Sequence, residues 1–256
     1  MAWNVRPGAE PLAESADRRS PDIPGQRKQL LEAISGPGMR MHFQPLIDLD
    51  SQRVVAYEAL ARFAGHPDVP PDAWFRRARG FALQEALELQ AVRRGLLALD
   101  DLRENISVCV NISGAGALSD GLAEILDDLP LDRVVLELTE QEEIVDYMVL
   151  NRALLGWRSK GLRVAVDDAG AGFASMRHIV SLQPDIIKLD ASWVTDIEAD
   201  PIRRSMVAAL AGFATSIDAI MVGEAVETEV QAQVLREVGV PWAQGFFFAR
   251  PAALVP

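Results

Sequence analysis

The stretch RVAVDDAGAGFASMRHIVSLQPDIIKLD, residues 163–190, decides the fold class. Its apolar run Arg163–Asp167 predicts a strand, Phe173–Leu182 has the composition of a helix, and Asp185–Leu189 predicts a second strand. A strand, a helix and another strand in this order form a βαβ unit, in which the two strands run parallel. The stretch therefore predicts an α/β protein with a mainly parallel sheet.

The same alternation continues on both sides of this stretch. The further predicted strands are Arg40–Asp48, Arg53–Phe63, Ile106–Ile112, Val134–Thr139, Ile220–Glu224 and Gly245–Phe248. The further predicted helices are Arg27–Ser35, Asp72–Leu102, Gly116–Asp128, Glu140–Lys160, Pro201–Ser216 and Val226–Val238. Only Leu49–Gln52 separates the first two strands, which is too short for a crossover helix, so we expect these two strands to form an antiparallel hairpin.

Eight predicted strands with nearly as many helices indicate a TIM-like (β/α)8 barrel with one antiparallel strand. An open doubly wound sheet is the alternative fold. In a barrel the C-terminal ends of the parallel strands meet at one mouth, and catalytic groups gather there. Residues at the ends of the predicted strands are therefore the first candidates for a functional site.

The composition indicates one large domain. Residues 27–256 suffice for a barrel domain, whereas residues 1–26 carry no apolar period and are interpreted as a flexible tail or linker. The formal net charge of −12 argues against binding of a nucleic acid polymer, which requires a basic face. A single cysteine, Cys109, cannot form an internal disulfide, and no apolar stretch reaches the roughly 20 residues of a membrane span. We therefore expect a cytoplasmic protein.

Polar side chains stand at the C-terminal ends of six predicted strands. They are Glu58, Asn111, Glu137, the pair Asp167 and Asp168, Lys188 and Glu224. A buried carboxylate without a partner costs several kcal/mol or more, so acids repeated at strand ends indicate one shared cationic centre. A divalent metal site is the natural candidate. Taken singly, these residues also fit plainer interpretations, such as a surface ion pair for Glu58 or a turn for Asn111.

The adjacent carboxylates of Asp167 and Asp168 point in different directions after their strand. The first can then bridge two cations while the second serves one, as in enzymes that cleave phosphate esters with paired metals. Gly170 and Gly172 follow and allow a tight turn over the site. The alternative interpretation is an ordinary acidic turn after a strand.

Lys188 lies in the middle of an apolar strand, which is costly unless its side chain faces a polar cavity. Near metal cations we expect the pKa of Lys188 to fall, so that it can orient or deprotonate a water molecule. A salt bridge to Asp190 or Asp185 is the alternative. Beyond the strand ends, Glu140 can cap a helix or anchor a neighbouring loop, and Glu227 follows Glu224 by three residues.

Other reactive residue types carry little signal. His42, His66 and His178 share no spacing typical of a zinc site and are interpreted as surface or packing residues. Cys109 is interpreted as a small core residue in its strand. The run Phe246–Phe248 is interpreted as a buried last strand, and the preceding Gln244 can face the barrel mouth and hydrogen-bond a base.

Several short segments recur together in this chain with characteristic order and gaps. They are Phe43-Gln44-Pro45, Glu58-Ala59-Leu60 with Arg62, Val110-Asn111-Ile112-Ser113, Glu137-Leu138-Thr139-Glu140, Asp167-Asp168, Lys188-Leu189-Asp190, Glu224-Ala225-Val226-Glu227-Thr228 and Gln244-Gly245. Each string is weak by itself. Together they make the chain resemble the EAL-domain phosphodiesterases that cleave cyclic di-GMP, over nearly all of residues 27–252.

The resemblance implies a barrel with one antiparallel strand that hydrolyses cyclic di-GMP to linear pGpG with Mg²⁺ or Mn²⁺, with two ions at the site. It implies that Glu58, Asn111, Glu137, Asp167, Asp168 and Glu224 bind metal, and that Lys188 contacts the attacking water. Catalysis would then rest on Lys188, Glu58 and Asp167. Gln44, Leu60, Arg62 and Gln244 would contact the substrate, and Glu140 and Glu227 would anchor loops. A homodimer, and fusion to a sensor or cyclase domain, are also implied.

The chain departs from the family pattern after the paired aspartates. Family members usually read Asp-Asp-Phe-Gly-Thr-Gly-Tyr-Ser-Ser-Leu, whereas residues 167–176 read DDAGAGFASM. In the family this loop couples metal binding to dimer contact. Its alteration favours one alternative, a catalytically weak receptor for cyclic di-GMP. A third interpretation, a metal-dependent barrel enzyme acting on a sugar or a carboxylic acid, does not use the resemblance.

Overall fold

The structure is a computed structural model and describes residues 25–65, 68–138, 146–170 and 173–254. The strands in this part of the chain are β1 (Met39–Asp48), β2 (Arg53–Phe63), β3 (Ser107–Ile112), β4 (Val134–Leu138), β5 (Arg163–Ala169), β6 (Ile186–Leu189), β7 (Ile220–Gly223) and β8 (Trp242–Ala243).

These strands close into a barrel in sequence order, because each strand pairs with the next and β8 pairs back to β1. Strand β1 is antiparallel to both of its neighbours, and the other pairs are parallel. The predicted barrel with one antiparallel strand is therefore confirmed, as is the predicted hairpin. The sheet has no open edge, so the doubly wound alternative is wrong.

Helices follow most of the strands and cover the outside of the barrel. The α-helices of the described residues are α1 (Gln26–Ser35), α2 (Pro71–Gly80), α3 (Gln84–Leu96), α4 (Asp120–Leu126), α5 (Tyr147–Arg158), α6 (Phe173–Leu182), α7 (Ala191–Val194), α8 (Pro201–Ser216) and α9 (Glu229–Glu237). None of the described helices is both long enough and apolar enough to cross a membrane.

The predicted helix Asp72–Leu102 is two helices in the structure. Helix α2 ends at Gly80, and Ala82 then adopts φ +54° in the left-handed region, which stops a right-handed helix. Helix α3 restarts at Gln84 and passes into the 3₁₀ helix Leu97–Asp100. The break sets the angle between α2 and α3, and both helices reach the wall of the site described below.

Two other predicted helices begin later than expected because capping residues fix their starts. In place of a helix over Gly116–Asp128, a 3₁₀ turn is followed by α4, whose first turn is capped by the Ser119 hydroxyl. In place of a helix over Val226–Val238, α9 begins after Thr228, which forms a reciprocal capping box with Gln231.

The predicted helix Glu140–Lys160 corresponds to α5, which begins after Asp146 and ends at Arg158. Asp146 caps it by accepting hydrogen bonds from the N–H groups of Met148 and Val149. Glu140 itself lies outside the described residues, as do His66, Gly172 and residues 1–24 of the predicted tail.

The prediction of a buried last strand at Gly245–Phe248 is wrong. This segment follows β8 and turns across the barrel mouth, where Phe247 N–H donates to the carbonyl of Val226. Gly245 is packed so closely on the same backbone that an added Cβ would lie 2.1 Å from the Val226 oxygen. Phe246 is 49% exposed, so the aromatic run is not a core strand.

The barrel interior contains an apolar layer, here called the floor layer, with one side chain from each of seven strands. Its members are Leu46, Ala56, Cys109, Val135, Ala165, Ile186 and Val222. Cys109 is fully buried there, as expected for a small core residue, and burial raises the pKa of its thiol. Side chains two residues along a strand point to the same face. The positions one step nearer the mouth on these strands are Gln44, Glu58, Asn111, Glu137, Asp167, Lys188 and Glu224.

Substitution of Gly245 tests the close crossing that ends the barrel. In Gly245→Ala the new methyl group meets the Val226 backbone, which cannot rotate away, so we expect a loss of about 1–3 kcal/mol in the free energy of unfolding. Urea denaturation measures it. Gly212→Ala is the matched control, because its Cβ meets nothing within 4 Å in an exposed helix and should be neutral or stabilising. Equal stability of the two variants would contradict the crossing.

Candidate active site

The polar side chains that lie one step above the floor layer, Gln44 to Glu224 as listed above, are here called the polar layer. Lys188 lies at its centre. Its Nζ is 2.9 Å from Glu224 Oε1 and 3.1 Å from both Glu137 Oε2 and Asp167 Oδ1. It is also 3.5 Å from Glu58 Oε2. The side chain is 1% exposed, so one buried ammonium is shared by four carboxylates from four different strand ends.

The alternative interpretation of Lys188, a salt bridge to Asp190 or Asp185, is wrong. Asp190 caps α7 by accepting from the N–H of Ser192, and Asp185 pairs with Arg158. The carboxylates around Lys188 have the opposite effect on its pKa to the one expected beside metal cations. Burial lowers the pKa of Lys188, but the four neighbouring negative charges outweigh burial and raise it well above the ordinary value.

The four carboxylates outnumber the single ammonium, and the pKa values of two of them are raised. Burial, together with neighbouring carboxylates, raises the pKa of Glu137 well above its ordinary value despite the attraction of Lys188. Burial likewise raises the pKa of Glu224 to about 8. Like charges enclosed in a dry space disfavour ionisation of both groups. The polar layer is therefore short of positive charge.

Glu58 is the carboxylate that is best supported by hydrogen bonds. Asn111 Nδ2 donates to Glu58 Oε1 at 3.0 Å, and Gln244 Nε2 donates to Glu58 Oε2 at 2.6 Å. Burial acts to raise the pKa of Glu58, but Lys188 and these two donors outweigh it and lower the pKa. Glu58 is 6% exposed, which rules out the surface ion pair that its strand also suggested.

Gln44 and Gln244 close the layer where β1 meets the end of β8. Gln244 Nε2 donates to Gln44 Oε1 at 3.1 Å, and Gln44 Nε2 donates to the Ala249 carbonyl at 3.0 Å. Both glutamines are buried. They therefore fix the position of Glu58, and their predicted contact with a substrate stays a prediction.

A bulge in β5 positions the paired aspartates. The pairing of β5 with β6 shifts register between Val166 and Ala169, and Asp168 adopts φ +54°. A bulge turns successive side chains away from strict alternation, so Asp167 reaches Lys188 while Asp168 faces the mouth cavities. One oxygen each of Asp167, Asp168 and Glu224 lies within 4.8 Å of the others.

Gly170 is required by the turn that follows. It has φ +95°, and an added Cβ would lie 2.3 Å from Trp193 Nε1. That indole nitrogen donates to the Gly170 carbonyl at 3.1 Å, so the tryptophan braces the start of the loop after β5. Trp193 is a supporting residue that the sequence did not reveal.

Two cavities open on either side of Glu58, Leu60 and Asp168. The larger, of about 490 Å³, extends between β2, β3 and the helices α2 and α3, and Arg62 lies in its wall. The smaller, of about 290 Å³, lies toward β7 and the segment after β8, and Glu227 and Gln244 line it. The predicted substrate residues thus line one or both of these cavities at the barrel mouth. The predicted loop-anchoring role of Glu227 stays a prediction.

The donor set of the polar layer fits divalent cations. The buried Glu137 Oε1 has no hydrogen-bond partner among the described residues, and Asp167 Oδ1 has only its ion-pair distance to Lys188. Buried acceptors without donors are costly, and a hard cation satisfies them. Oxygen ligands from carboxylates and an amide are those that Mg²⁺ and Mn²⁺ prefer.

Sequence reasoning also missed a buried acid on the cavity wall. Glu88 of α3 is 7% exposed and accepts a hydrogen bond of 2.6 Å from the Ser113 hydroxyl, just beyond the end of β3. Its helical spacing from Glu85 and Leu89 gives no hint of burial. By contrast, His178 is buried against Tyr147, which agrees with its interpretation as a packing residue.

The profile of the EAL domain family matches residues 27–251. The cyclic di-GMP phosphodiesterase NbdA of Pseudomonas aeruginosa is 28% identical over 240 residues, which cover 89% of this chain and 30% of that relative. The probable cyclic di-GMP phosphodiesterase PdeB of Escherichia coli is 27% identical over 239 residues, which cover 89% of this chain and 45% of that relative. The chain therefore spans less than half the length of either relative.

Solved structures share the barrel. A manganese and cyclic di-GMP complex of Klebsiella pneumoniae BlrP1 at pH 9.0 superposes with a TM-score of 0.74 at 26% identity, over 85% of this chain and 57% of that chain. The EAL enzyme Bd1971, in its cAMP and cyclic di-GMP bound form, gives a TM-score of 0.78 at 24% identity, over 89% and 66%, and supports the fold alone. Since the family profile covers all but the ends of the sequence, the chain belongs to the EAL domain family.

Proposed function

We propose that this chain is a metal-dependent phosphodiesterase that hydrolyses cyclic di-GMP to linear pGpG. The observation that carries the proposal is the convergence of four carboxylates on Lys188 at the C-terminal mouth of the barrel. Within the described part of the chain, Glu137 Oε1 has no hydrogen-bond donor. Relatives named as cyclic di-GMP phosphodiesterases, at 27–28% identity, support the substrate. The BlrP1 complex, which contains manganese and cyclic di-GMP, supports both the proposed metal and the proposed substrate.

The proposed cation ligands are oxygens of the polar layer together with Asp168, which faces the mouth cavities. The full set is Glu58, Asn111, Glu137, Asp167, Asp168 and Glu224, for two ions of Mg²⁺ or Mn²⁺. When bound, such ions polarise a phosphate oxygen and lower the pKa of a coordinated water. The hydrogen bonds to Glu58 from Asn111 and Gln244 hold that carboxylate in place without a cation, so part of the site is preorganised.

We assign Lys188 the role of orienting the attacking water. Its Nζ carries three N–H donors and no acceptor, and it lies between Asp167 and Glu224, the residues that flank the mouth. The floor layer beneath Lys188 is apolar and its side chain is 1% exposed, so a water held by Nζ would have to enter from the mouth side. A fixed donor at this position selects one orientation of the water and so lowers the entropic part of the barrier.

The two cavities suit a ligand with two nucleotide halves. They flank Glu58 and Leu60, and a cyclic dinucleotide with one phosphate over the polar layer would extend one base into each. Pockets of roughly 300–1,000 Å³ are typical for small ligands. Gln44, Leu60, Arg62 and Gln244 are the proposed substrate contacts.

A catalytically weak receptor for cyclic di-GMP is the second candidate, and the loop sequence favours it. Ala169 stands where the family usually has an aromatic residue, and Ala171, Phe173 and Ala174 stand where it usually has a hydroxyl. Ala169 is buried. Residues 1–26 as a tail, a homodimer, a cytoplasmic location and fusion to a sensor or cyclase domain also stay predictions. A sugar or carboxylic acid as substrate has no support from the relatives.

Metal removal tests the proposal and separates the two candidates. We expect the protein with Mn²⁺ to convert cyclic di-GMP to pGpG, and EDTA followed by dialysis to abolish conversion because the carboxylates alone repel the phosphate. Chromatography of the nucleotides measures it, with Mn²⁺ or Mg²⁺ added back as the control. Full-rate cleavage by the metal-free protein would sink the proposed mechanism. Binding by calorimetry without product would favour the receptor.

Substitution of Lys188 tests its assigned role. In Lys188→Ala we expect turnover to fall by about 10²–10⁴-fold, while the Kd for cyclic di-GMP changes little, because the lysine acts on water and not on the ligand. We also expect Mn²⁺ to raise Tm more than in the wild type, since the four carboxylates lose the ammonium that they share. The exposed Lys160→Ala is the control. Parallel loss of binding and turnover would assign Lys188 a structural role instead.

A further inference from the structure

A chain of hydrogen bonds runs along the wall of the larger cavity from α2 to the end of β3. Arg79 Nε donates to Gln84 Oε1 at 2.9 Å, and Gln84 Nε2 donates to Glu88 Oε1 at 2.8 Å. The other carboxylate oxygen, Glu88 Oε2, accepts from the Ser113 hydroxyl at 2.6 Å and from the Ser113 N–H at 3.3 Å. Gly116 N–H donates to the Ser113 hydroxyl oxygen at 3.0 Å.

Glu88 is the buried member of this chain, and the proposed catalysis does not use it. Burial of a carboxylate is costly, and its three donors offset that cost. The carboxylate is closely enclosed, because a Cβ added at Gly116 would lie 2.7 Å from Glu88 Oε2. A carboxylate held this firmly on the cavity wall fixes the positions of its hydrogen-bond partners, Gln84 and Ser113.

The direction of the donors makes the chain specific for an acid at position 88. The Arg79 guanidinium can only donate, so the Gln84 oxygen faces it and the Gln84 nitrogen faces Glu88. Ser113 N–H also donates. Residue 88 must therefore accept on both sides. A carboxylate does so, whereas an amide of the same shape can accept on one side alone.

Both ends of the chain reach the proposed site. Ser113 follows Asn111 by two residues, and Asn111 donates to Glu58 at 3.0 Å. At the other end, Arg79 lines the same cavity as Glu58 and Asn111. Glu88 thus lies between a cation on the cavity wall and a carboxylate of the polar layer.

We propose that Glu88 is a positioning residue with two separable effects, both of which rest on the proposed phosphodiesterase function. Through Gln84 it aims Arg79 at the anionic ligand in the larger cavity. Through Ser113 it fixes the end of β3, and with it the Asn111 amide that orients Glu58. Ligand binding then depends on Glu88 Oε1, which accepts from Gln84, and turnover depends on Glu88 Oε2, which accepts from Ser113.

Two substitutions of Glu88 separate these effects. In Glu88→Gln the amide keeps an acceptor for Ser113, but its nitrogen forces Gln84 to flip, and Arg79 Nε loses its hydrogen bond to Gln84 Oε1. We expect KM for cyclic di-GMP to rise about three- to tenfold with kcat within about twofold. In Glu88→Ala both Ser113 donors lose their acceptor, so we expect kcat to fall about 10–100-fold and Mn²⁺ affinity, followed by EPR titration, to weaken. The exposed Glu85→Gln on the same helix is the control.

A double substitution tests whether Arg79 and Glu88 act as one unit. Arg79→Leu should raise KM as Glu88→Gln does, and the combined variant should be no worse than Arg79→Leu, because the Arg79–Gln84 hydrogen bond that a flip of Gln84 removes is already absent. Arg77→Leu is the matched control, since Arg77 does not line the cavity. Additive increases in KM, or a wild-type kcat in Glu88→Ala, would overturn the proposal.

One readout does not require turnover. In Glu88→Ala, amide hydrogen exchange at Ser113 and Gly116 should accelerate at least tenfold while the overall Tm changes by only a few degrees. Unchanged exchange, together with unchanged Mn²⁺ affinity, would overturn the positioning role even if the wild type is active. If the wild type formed no pGpG, the proposed function would fall instead. Accelerated exchange at Ser113 and Gly116 in Glu88→Ala would then still support the contact between Glu88 and the end of β3.

Discussion

The excess of carboxylate over ammonium in the barrel mouth is the constraint on which the site depends. Four carboxylates and one ammonium leave a net charge of −3 when all are ionised. In a dry interior such an imbalance is relieved either by protons or by cations. Burial and the neighbouring carboxylates raise the pKa values of Glu137 and Glu224, as expected for such an imbalance. The proposed binding of hard divalent ions would relieve it.

The register of the barrel strands brings these carboxylates together in one layer. Each side chain of the floor layer is followed, two residues nearer the mouth, by a polar side chain on the same face of the same strand. An apolar layer beneath a polar layer excludes water from below, which strengthens every electrostatic interaction above it. The reversed β1 obeys the same rule in the opposite direction, because Gln44 precedes Leu46. Closure of the barrel therefore brings polar residues that are far apart in the sequence together in one site.

The sequence predicted the features that local patterns determine. Apolar runs ending in a polar residue located the strands from β2 to β7, and the short link after β1 required a hairpin. The helix break at Ala82 escaped prediction, because an alanine in the left-handed region is imposed by tertiary packing. The run after Gly245 was misassigned because its aromatic composition suits a strand, and only the crossing over Val226 forbids one.

Within the site, the limit of sequence reasoning lies at contacts between distant elements. Lys188 stood out because a lysine in an apolar strand is locally anomalous, yet its four partners depend on closure of the barrel. Glu88 did not stand out, because an acid on an amphipathic helix is ordinary until α3 packs against β3. Residues that support a site from a helix therefore need the structure to be found.

The distribution of charge within the larger cavity implies an order of binding. Its inner end carries Glu58, Asp167 and Asp168, whereas Arg62, Arg76 and Arg79 line its outer part. An anionic ligand is attracted by the arginines but repelled by the carboxylates until cations occupy the polar layer. Binding of cation and binding of anion must then strengthen each other by the same factor, since coupling between two sites is reciprocal. An acidic chain of net charge −12 would thus bind the proposed anionic ligand mainly in its metal-loaded state.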